Sequence, residues 1–140
     1  SLTGHLVLAT LHTNDSAAAV TRLLDMGIEP FLLSSSLLGV MAQRLVRKLC
    51  VHCKKADEHG HVHPVGCERC GGSGYKGRTG VYEMMVVDDA MTGLIHNRAA
   101  ESILTTAAVS AGMRSMREDG DRLVAQGITS PEEVLRVTRD

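Results

Sequence analysis

The order of apolar and polar positions along the chain predicts an α/β protein. Residues 6–11 form an apolar run bounded by polar residues, the pattern of a strand buried on both faces of a parallel sheet. A second strand is predicted over residues 80–87, where β-branched and aromatic side chains recur. Two strands are too few for a sheet covered on both faces, so we expect its other strands to precede Ser1.

Helical periodicity and capping residues predict most of the remaining elements. Apolar positions at helical spacing mark one helix that ends at Gly27, a favourable C-terminal glycine. Pro30 opens a longer helix, whose apolar face steps by four residues as far as Leu49. Four further helices are predicted over residues 88–96, over 101–111, over 116–126, and after Ser130, which caps the last one with Glu133 bonding back to its amide.

Composition narrows the classes of function. A chain of 140 residues is long enough for one domain, or for a core with a small metal-stapled appendage. The net charge of −1 argues against nucleic acid or an anionic membrane as the main partner. Aromatic residues make up only 2%, which removes the stacking platforms that bind bases. No apolar run is long enough to cross a bilayer, so we expect a soluble, cytoplasmic chain.

Four cysteines in two C-x-x-C pairs carry the strongest chemical signal. The pairs are Cys50 with Cys53 and Cys67 with Cys70, and residues 54–66 separate them. Each pair brings two thiolates to one ion from a tight turn, and two such pairs complete a tetrahedron that suits Zn²⁺. Four thiolates leave no position for a substrate, so the predicted site is closed and structural.

Cysteine pairs at this spacing have two other common uses, as disulfides and as a redox pair. Two disulfides would suit a secreted chain, but no signal peptide is present. A thioredoxin-like redox pair should open a helix in a βαβ unit, and neither C-x-x-C is placed in that way. His52 lies within the first pair and His59, His61 and His63 lie between the pairs, and we interpret all four as solvated side chains rather than ligands.

Two glycine-rich patterns near the second cysteine pair are not taken as sites. Residues 72–79 fit the phosphate-loop pattern except that Arg78 replaces its lysine, yet they lead into a predicted strand instead of a helix. Residues 67–74 fit the C-x-x-C-x-G-x-G repeat of the zinc domain of Hsp40-type co-chaperones, which occurs here once. The match indicates a shared knuckle geometry.

Polar residues follow the first predicted strand. His12 stands at its C-terminal end together with Thr13, Asn14 and Asp15, at the sheet edge where ligands bind in parallel α/β proteins. On spacing alone, capping of the next helix is the simpler interpretation of this cluster.

Several of these segments together resemble the secretion ATPases that drive type II secretion and type IV pilus assembly. Residues 2–15 resemble the His box of that family, and the similarity continues through residues 33–37, 42–47, 77–83 and 127–134. The closest resemblance is to the type II secretion motors, followed by the pilus-extension ATPases. Retraction motors of the family lack the four cysteines and resemble the chain less.

The resemblance implies a fold and a set of residue roles. It implies the C-terminal part of a RecA-like P-loop NTPase core with an inserted tetracysteine zinc knuckle and a mostly helical tail. His5 and His12 would be the His-box residues near the nucleotide, and Cys50, Cys53, Cys67 and Cys70 would match the family's metal site. The loop between the cysteine pairs is shorter than the family's. The implied segments are residues 1–49 for the trailing core, 50–76 for the knuckle and 77–140 for a strand and the helical region.

The resemblance also implies the assembly in which the chain works. The intact protein would be a cytoplasmic homohexamer, peripheral to the bacterial inner membrane, that uses ATP and Mg²⁺ to assemble pseudopili and contacts the inner-membrane secretion platform. The chain itself contains no phosphate loop or Walker B segment, so we expect it not to hydrolyse ATP alone. Alternatives are a pilus-extension ATPase and, from another class, a non-enzymatic zinc-stabilised interaction module.

Overall fold

The computed structural model describes residues 4–138 and shows a mixed α/β chain. Strands β1 and β4 form one two-stranded sheet, and β2 pairs antiparallel with β3, with Lys55 opposite His63. The elements in chain order are α1 (Ser16–Asp25), α2 (Pro30–Ser36), β1 (Gly39–Leu49), β2 (Lys55–Ala56), β3 (Val62–His63), a 3₁₀ turn (Glu68–Cys70), β4 (Tyr75–Val86), α3 (Asp89–His96), α4 (Glu101–Ser110), α5 (Met116–Ala125) and α6 (Pro131–Thr138).

One compact unit combines the residues up to Ala42 with Glu83–Arg114. Its core is aliphatic, because α1, α2, α3 and α4 each place apolar side chains against the end of β4. Burial of this surface supplies the main stabilisation of the unit. The largest fully enclosed members of this core are Val20, Met85, Ile95 and Leu104.

The second compact unit combines Gln43–Tyr82 with the residues from Ser115 onward. Val46 and Val81, on the two long strands, and Val134, on α6, are each fully buried. Helices α5 and α6 approach closely because Gly120 has no side chain to separate them. These two units differ from the segments 1–49, 50–76 and 77–140, which the family resemblance implies. The division into those three segments stays a prediction.

The strand predicted over residues 6–11 is not formed in the structure. These residues pair with no strand among residues 4–138, and Leu6, Val7 and Leu8 are 74%, 66% and 88% exposed. A strand is held by hydrogen bonds to its neighbours, and none of the described strands lies beside this segment. The prediction of a buried strand here was therefore wrong for this structure.

The long helix predicted from Pro30 to Leu49 was also wrong in its second half. Helix α2 ends at Ser36, and β1 covers the remaining residues. A spacing of four residues lies on one face of a helix and, being even, also on one face of a strand. Along most of the strand it is the outer face: Met41 is 61% exposed, whereas Val46 on the opposite face is fully buried, and only at the strand end does Leu49 become buried.

The later elements agree with the predictions from the sequence. Strand β4 begins earlier than expected, at Tyr75, and α3, α4 and α5 lie within two residues of their predicted bounds. Helices α1, α4 and α5 end in the same way, each followed by a residue with positive φ. The N–H of that residue and the N–H of the next residue both donate to carbonyl groups of the last helical turn. That residue is glycine in all three, at positions 27, 112 and 127.

Candidate metal centre and neighbouring sites

The four cysteines are presented by two tight backbone turns in the second unit. Cys50 directly follows β1, and its carbonyl accepts the N–H groups of both Cys53 and Lys54 at 3.2 and 2.9 Å. The second pair lies on the 3₁₀ turn, where the Cys67 carbonyl accepts the Cys70 N–H at 3.2 Å. The glycines that flank this pair, at 66, 71, 72 and 74, all have positive φ, as a knuckle turn requires.

The thiol sulfurs converge on one point. The Sγ atoms of Cys53 and Cys70 are 3.8 Å apart, as are those of Cys67 and Cys70, and those of Cys50 and Cys67 are 4.0 Å apart. All four ligand atoms lie within 4.8 Å of one another. A tetrahedron with Zn–S bonds of about 2.3 Å has edges of about 3.8 Å, so the spacing fits a single ion of that size.

Backbone N–H groups point at two of these sulfurs. The Cys70 Sγ accepts from the N–H groups of Cys67 and Gly74, both at 3.2 Å, and the Cys53 Sγ accepts from Gly66 at 3.3 Å. Burial acts to raise the pKa of Cys70, but its two N–H donors outweigh it and lower the pKa to about 6. Burial raises the pKa of Cys53 to about 11, against the single Gly66 donor. The N–H groups therefore favour the thiolate form that a metal needs at Cys70.

The structure disagrees with the two other uses of the cysteines. All four are free, so the chain holds no disulfide in this structure. Neither pair opens an α-helix, because the first follows a strand and the second lies on a 3₁₀ turn. That placement does not match a thioredoxin-like redox pair.

His52, inside the first pair, and the histidines of the loop between the pairs stay outside the cluster. His52 contacts the Arg69 guanidinium at 3.3 Å, and His61 lies 3.5 Å from the Asp57 carboxylate. Within residues 4–138, the four cysteines are the one group of metal-binding side chains close enough to share an ion. The glycine-rich residues 72–79 lead into β4, so they lack the helix that a phosphate loop needs.

His12 lies at a separate open cleft in the first unit. The cleft has a volume of about 320 Å³, and it is lined by His12, Thr13, Asn14, Ala18, Thr21, Arg22, Asp25 and Glu101. His12 and His5 are both exposed, but His5 is not among the described residues that line the cleft. Asp15 caps α1 through the Ala18 N–H at 2.8 Å, so capping falls to Asp15, and His12 faces the cleft.

A buried carboxylate fixes the start of α1 in the first unit. Glu83 is 8% exposed, and its Oε1 accepts from both the N–H and the hydroxyl of Ser16. A negative charge is favourable at the N-terminus of a helix, where free N–H groups point outward. Strand β4 thereby holds the helix that follows the His12 segment.

A second buried carboxylate was misassigned from the sequence. Ser130 does cap α6, accepting from the Glu133 N–H at 3.4 Å, but the Glu133 side chain does not bond back to the Ser130 amide. It accepts instead from the Arg47 N–H at 2.9 Å and pairs with the side chains of Arg47 and Arg136. Arg47 also stacks on the ring of Tyr75, 4.3 Å from its centroid. The sequence offered no signal for a contact between residues 86 positions apart.

Comparisons with known proteins relate this chain to one protein family. Residues 1–136 match the family described as Type II/IV secretion system protein. The type II secretion system protein HxcR of Pseudomonas aeruginosa is 63% identical over the whole chain, which covers 30% of that protein. The type II secretion system ATPase E of Vibrio cholerae is 51% identical, again over the whole chain and 31% of that protein. The type IV pilus assembly ATPase PilB of Thermus thermophilus is 46% identical over 99% of the chain and 18% of its own length.

Solved structures agree at the level of the fold. The pilus retraction motor PilT with bound ADP superposes with a TM-score of 0.67 at 23% identity, covering 99% of this chain and 34% of that one. The ATPase DotB of Yersinia pseudotuberculosis gives a TM-score of 0.65 at 19% identity, covering 98% of this chain and 31% of that one. The chain thus spans about a third of the length of such proteins. None of the helices within residues 4–138 combines the length and apolar character needed to span a membrane.

Proposed function

Because this chain belongs to the Type II/IV secretion system protein family, we propose that it is the C-terminal part of an ATPase that powers pseudopilus assembly in type II secretion. The observation that carries the proposal is the match over residues 1–136, together with 63% and 51% identity to type II secretion proteins. The 46% identity to a type IV pilus assembly ATPase supports the alternative, a pilus-extension motor.

In this proposal the chain contributes the trailing part of a RecA-like core over residues 1–49, a zinc knuckle over 50–76 and a helical region over 77–140. The likeness in fold to two secretion ATPases supports the first assignment. The intact protein would act as a cytoplasmic homohexamer beside the inner membrane and bind its secretion platform. It would use ATP and Mg²⁺, and this chain alone would not hydrolyse ATP.

The metal centre of the proposal is a structural zinc ion held by Cys50, Cys53, Cys67 and Cys70. The convergent sulfurs and the N–H donors to Cys53 and Cys70 support it. The ion would cross-link the two turns, and with four thiolates it would offer no open coordination position for catalysis.

Zinc content tests the metal assignment directly. Native mass spectrometry of protein purified without added metal should show one zinc ion per chain. Cys70→Ser should lose the ion, whereas His52→Ala should keep it, because His52 contacts Arg69 instead of the sulfurs. A metal-free wild-type chain, or equal loss from both variants, would contradict the assignment.

His5 and His12 would lie near the nucleotide in the intact protein. The cleft beside His12 supports this role. His12 follows residues 6–11 in the chain, and its side chain lines the cleft together with Arg22 and Glu101. His12→Ala in the full-length protein should lower ATP turnover at least about tenfold, since a misplaced catalytic contact commonly costs that much or more.

The matched control for His12→Ala is His59→Ala, a change of the same side chain in an exposed part of the loop between the cysteine pairs. Its ATP turnover and secretion of a reporter substrate should equal those of the wild type. Unchanged turnover in His12→Ala, with the hexamer intact by size-exclusion chromatography, would remove His12 from the nucleotide site.

A further inference from the structure

The turn between α5 and α6, residues 127–130, is enclosed within the second unit. Thr129 and Ser130 are fully buried, although both are polar. Gly127 closes the end of α5 with φ +64°, and its own carbonyl points toward the cysteine module. A buried turn of this kind depends on hydrogen bonds from its surroundings, because its peptide groups have no water to bond. We call residues 127–130 the GITS turn.

The cysteine module supplies one of these bonds through Lys54. The Lys54 ammonium donates to the Gly127 carbonyl at 2.7 Å, and Lys54 is half-buried. Its backbone belongs to the first knuckle, because the Lys54 N–H bonds to the Cys50 carbonyl at 2.9 Å. Val62, from the loop between the pairs, lies beside the same part of the turn, because a β-carbon at Gly127 would come 3.1 Å from its Cγ2 and 3.8 Å from the Lys54 Nζ.

The end of β1 supplies two further bonds to the GITS turn, and the Tyr75 hydroxyl bonds to that of Ser130 at 2.8 Å. The Leu49 N–H donates to the Ile128 carbonyl at 2.8 Å, one residue before Cys50. The Thr129 hydroxyl donates to the Arg47 carbonyl at 2.8 Å. The GITS turn is therefore bonded by two segments next to the first cysteine pair, the strand end that leads into Cys50 and the lysine that follows Cys53.

We infer that the tetracysteine centre holds the GITS turn in place, an arrangement that we call the clamp. Helices α5 and α6 are then fully ordered only when the metal ion is bound. The inference rests on the zinc site proposed above. The module between Cys50 and Gly74 contains few buried apolar side chains, so its two turns depend on the ion to stay folded. Without the ion, Lys54 loses the fixed backbone that aims it at Gly127, and the buried turn loses its ammonium donor.

Hydrogen exchange measured by mass spectrometry tests the clamp in zinc-loaded protein and in protein stripped with EDTA. Stripping should accelerate exchange in peptides covering residues 124–134. Lys54→Met removes the donor and leaves all four thiols. It should keep one zinc ion per chain yet raise exchange in the same peptides about tenfold, the effect of losing one hydrogen bond to a charged group.

The control is Lys55→Met, which removes the neighbouring, exposed lysine and should exchange like the wild type. If zinc-loaded Lys54→Met exchanges at the wild-type rate over residues 124–134, the clamp is refuted. This holds even if removal of zinc unfolds the whole unit. A wild-type chain without zinc would overturn the metal assignment as well. A chain that binds zinc but shows no coupling would overturn the clamp alone.

Discussion

The close approach of α5 and α6 predicts that an alanine at position 120 destabilises the protein. Gly120 is buried in the middle of α5, and a β-carbon there would lie 2.4 Å from Cγ1 and 2.9 Å from Cγ2 of Val134. Carbon atoms in contact normally lie about 3.5–4.0 Å apart, so the added methyl group overlaps Val134 by more than 1 Å. Val134 is fully buried and has little rotamer freedom in a helix, so it cannot turn away.

The magnitude follows from two opposing effects. Replacing glycine by alanine inside a helix stabilises it by about 0.8–1.0 kcal/mol. Overpacking a well-filled core costs about 1–3 kcal/mol. We therefore expect Gly120→Ala to lower the free energy of unfolding by about 1 kcal/mol, with the α5–α6 contact as the cause.

Gly93→Ala is the matched control, because Gly93 lies inside α3 and a β-carbon there meets no atom within 4 Å. This variant keeps the helical gain without the overlap, so it should stabilise the protein by about 0.8 kcal/mol. Urea unfolding followed by far-UV circular dichroism measures both variants. A Gly120→Ala protein as stable as Gly93→Ala would refute the argument from close packing.

Three further outcomes are expected. The pKa of Glu133 is lowered to about 2 because its bonds to Arg136 and Arg47 outweigh burial, so its stabilisation is complete above its usual pKa of 4.5 and fades as pH falls toward 2. Glu133→Gln should cost about 3 kcal/mol in urea unfolding at pH 7 and little at pH 2, and an equal cost at both would contradict the ion pairs. Arg98→Gly should raise the free energy of unfolding by about 0.5–1 kcal/mol, because Arg98 ends α3 at φ +52°, and a lower value would show that the arginine makes a stabilising contact. Gly74→Ala should abolish zinc retention in native mass spectra, since its β-carbon would lie 2.4 Å from Pro64 beside the metal centre, and retained zinc would mean that the turn adapts.

The convergence of the four cysteines could be predicted from the sequence because the geometry of each pair is local. Each C-x-x-C spacing favours its own tight turn, glycines at positive φ flank the second pair, and one loop joins the two turns. The helices after β4 were predictable for the same reason, since their caps and terminal glycines act within a few residues.

The predictions were wrong where contacts between residues far apart in the sequence determine the structure. The spacing of four residues after Pro30 suits a helix and a strand equally, and pairing with β4 selected the strand. Residues 6–11 carry the apolar pattern of a strand, but a pattern cannot supply the neighbouring strand, and none of the described strands pairs with them. Glu133 was assigned to a local cap because the sequence does not reveal that Arg47 lies beside it.

The separation between the two halves of the second unit has a consequence for synthesis on the ribosome. Arg47 and Glu133 are 86 residues apart in the chain. At about 5–20 residues per second, their codons are translated roughly 4–17 s apart. For much of that interval the cysteines have been synthesised, while α5 and α6, which follow them in the chain, have not. Under the zinc proposal, ion binding would then be the step that closes the nascent module before α5 and α6 are made.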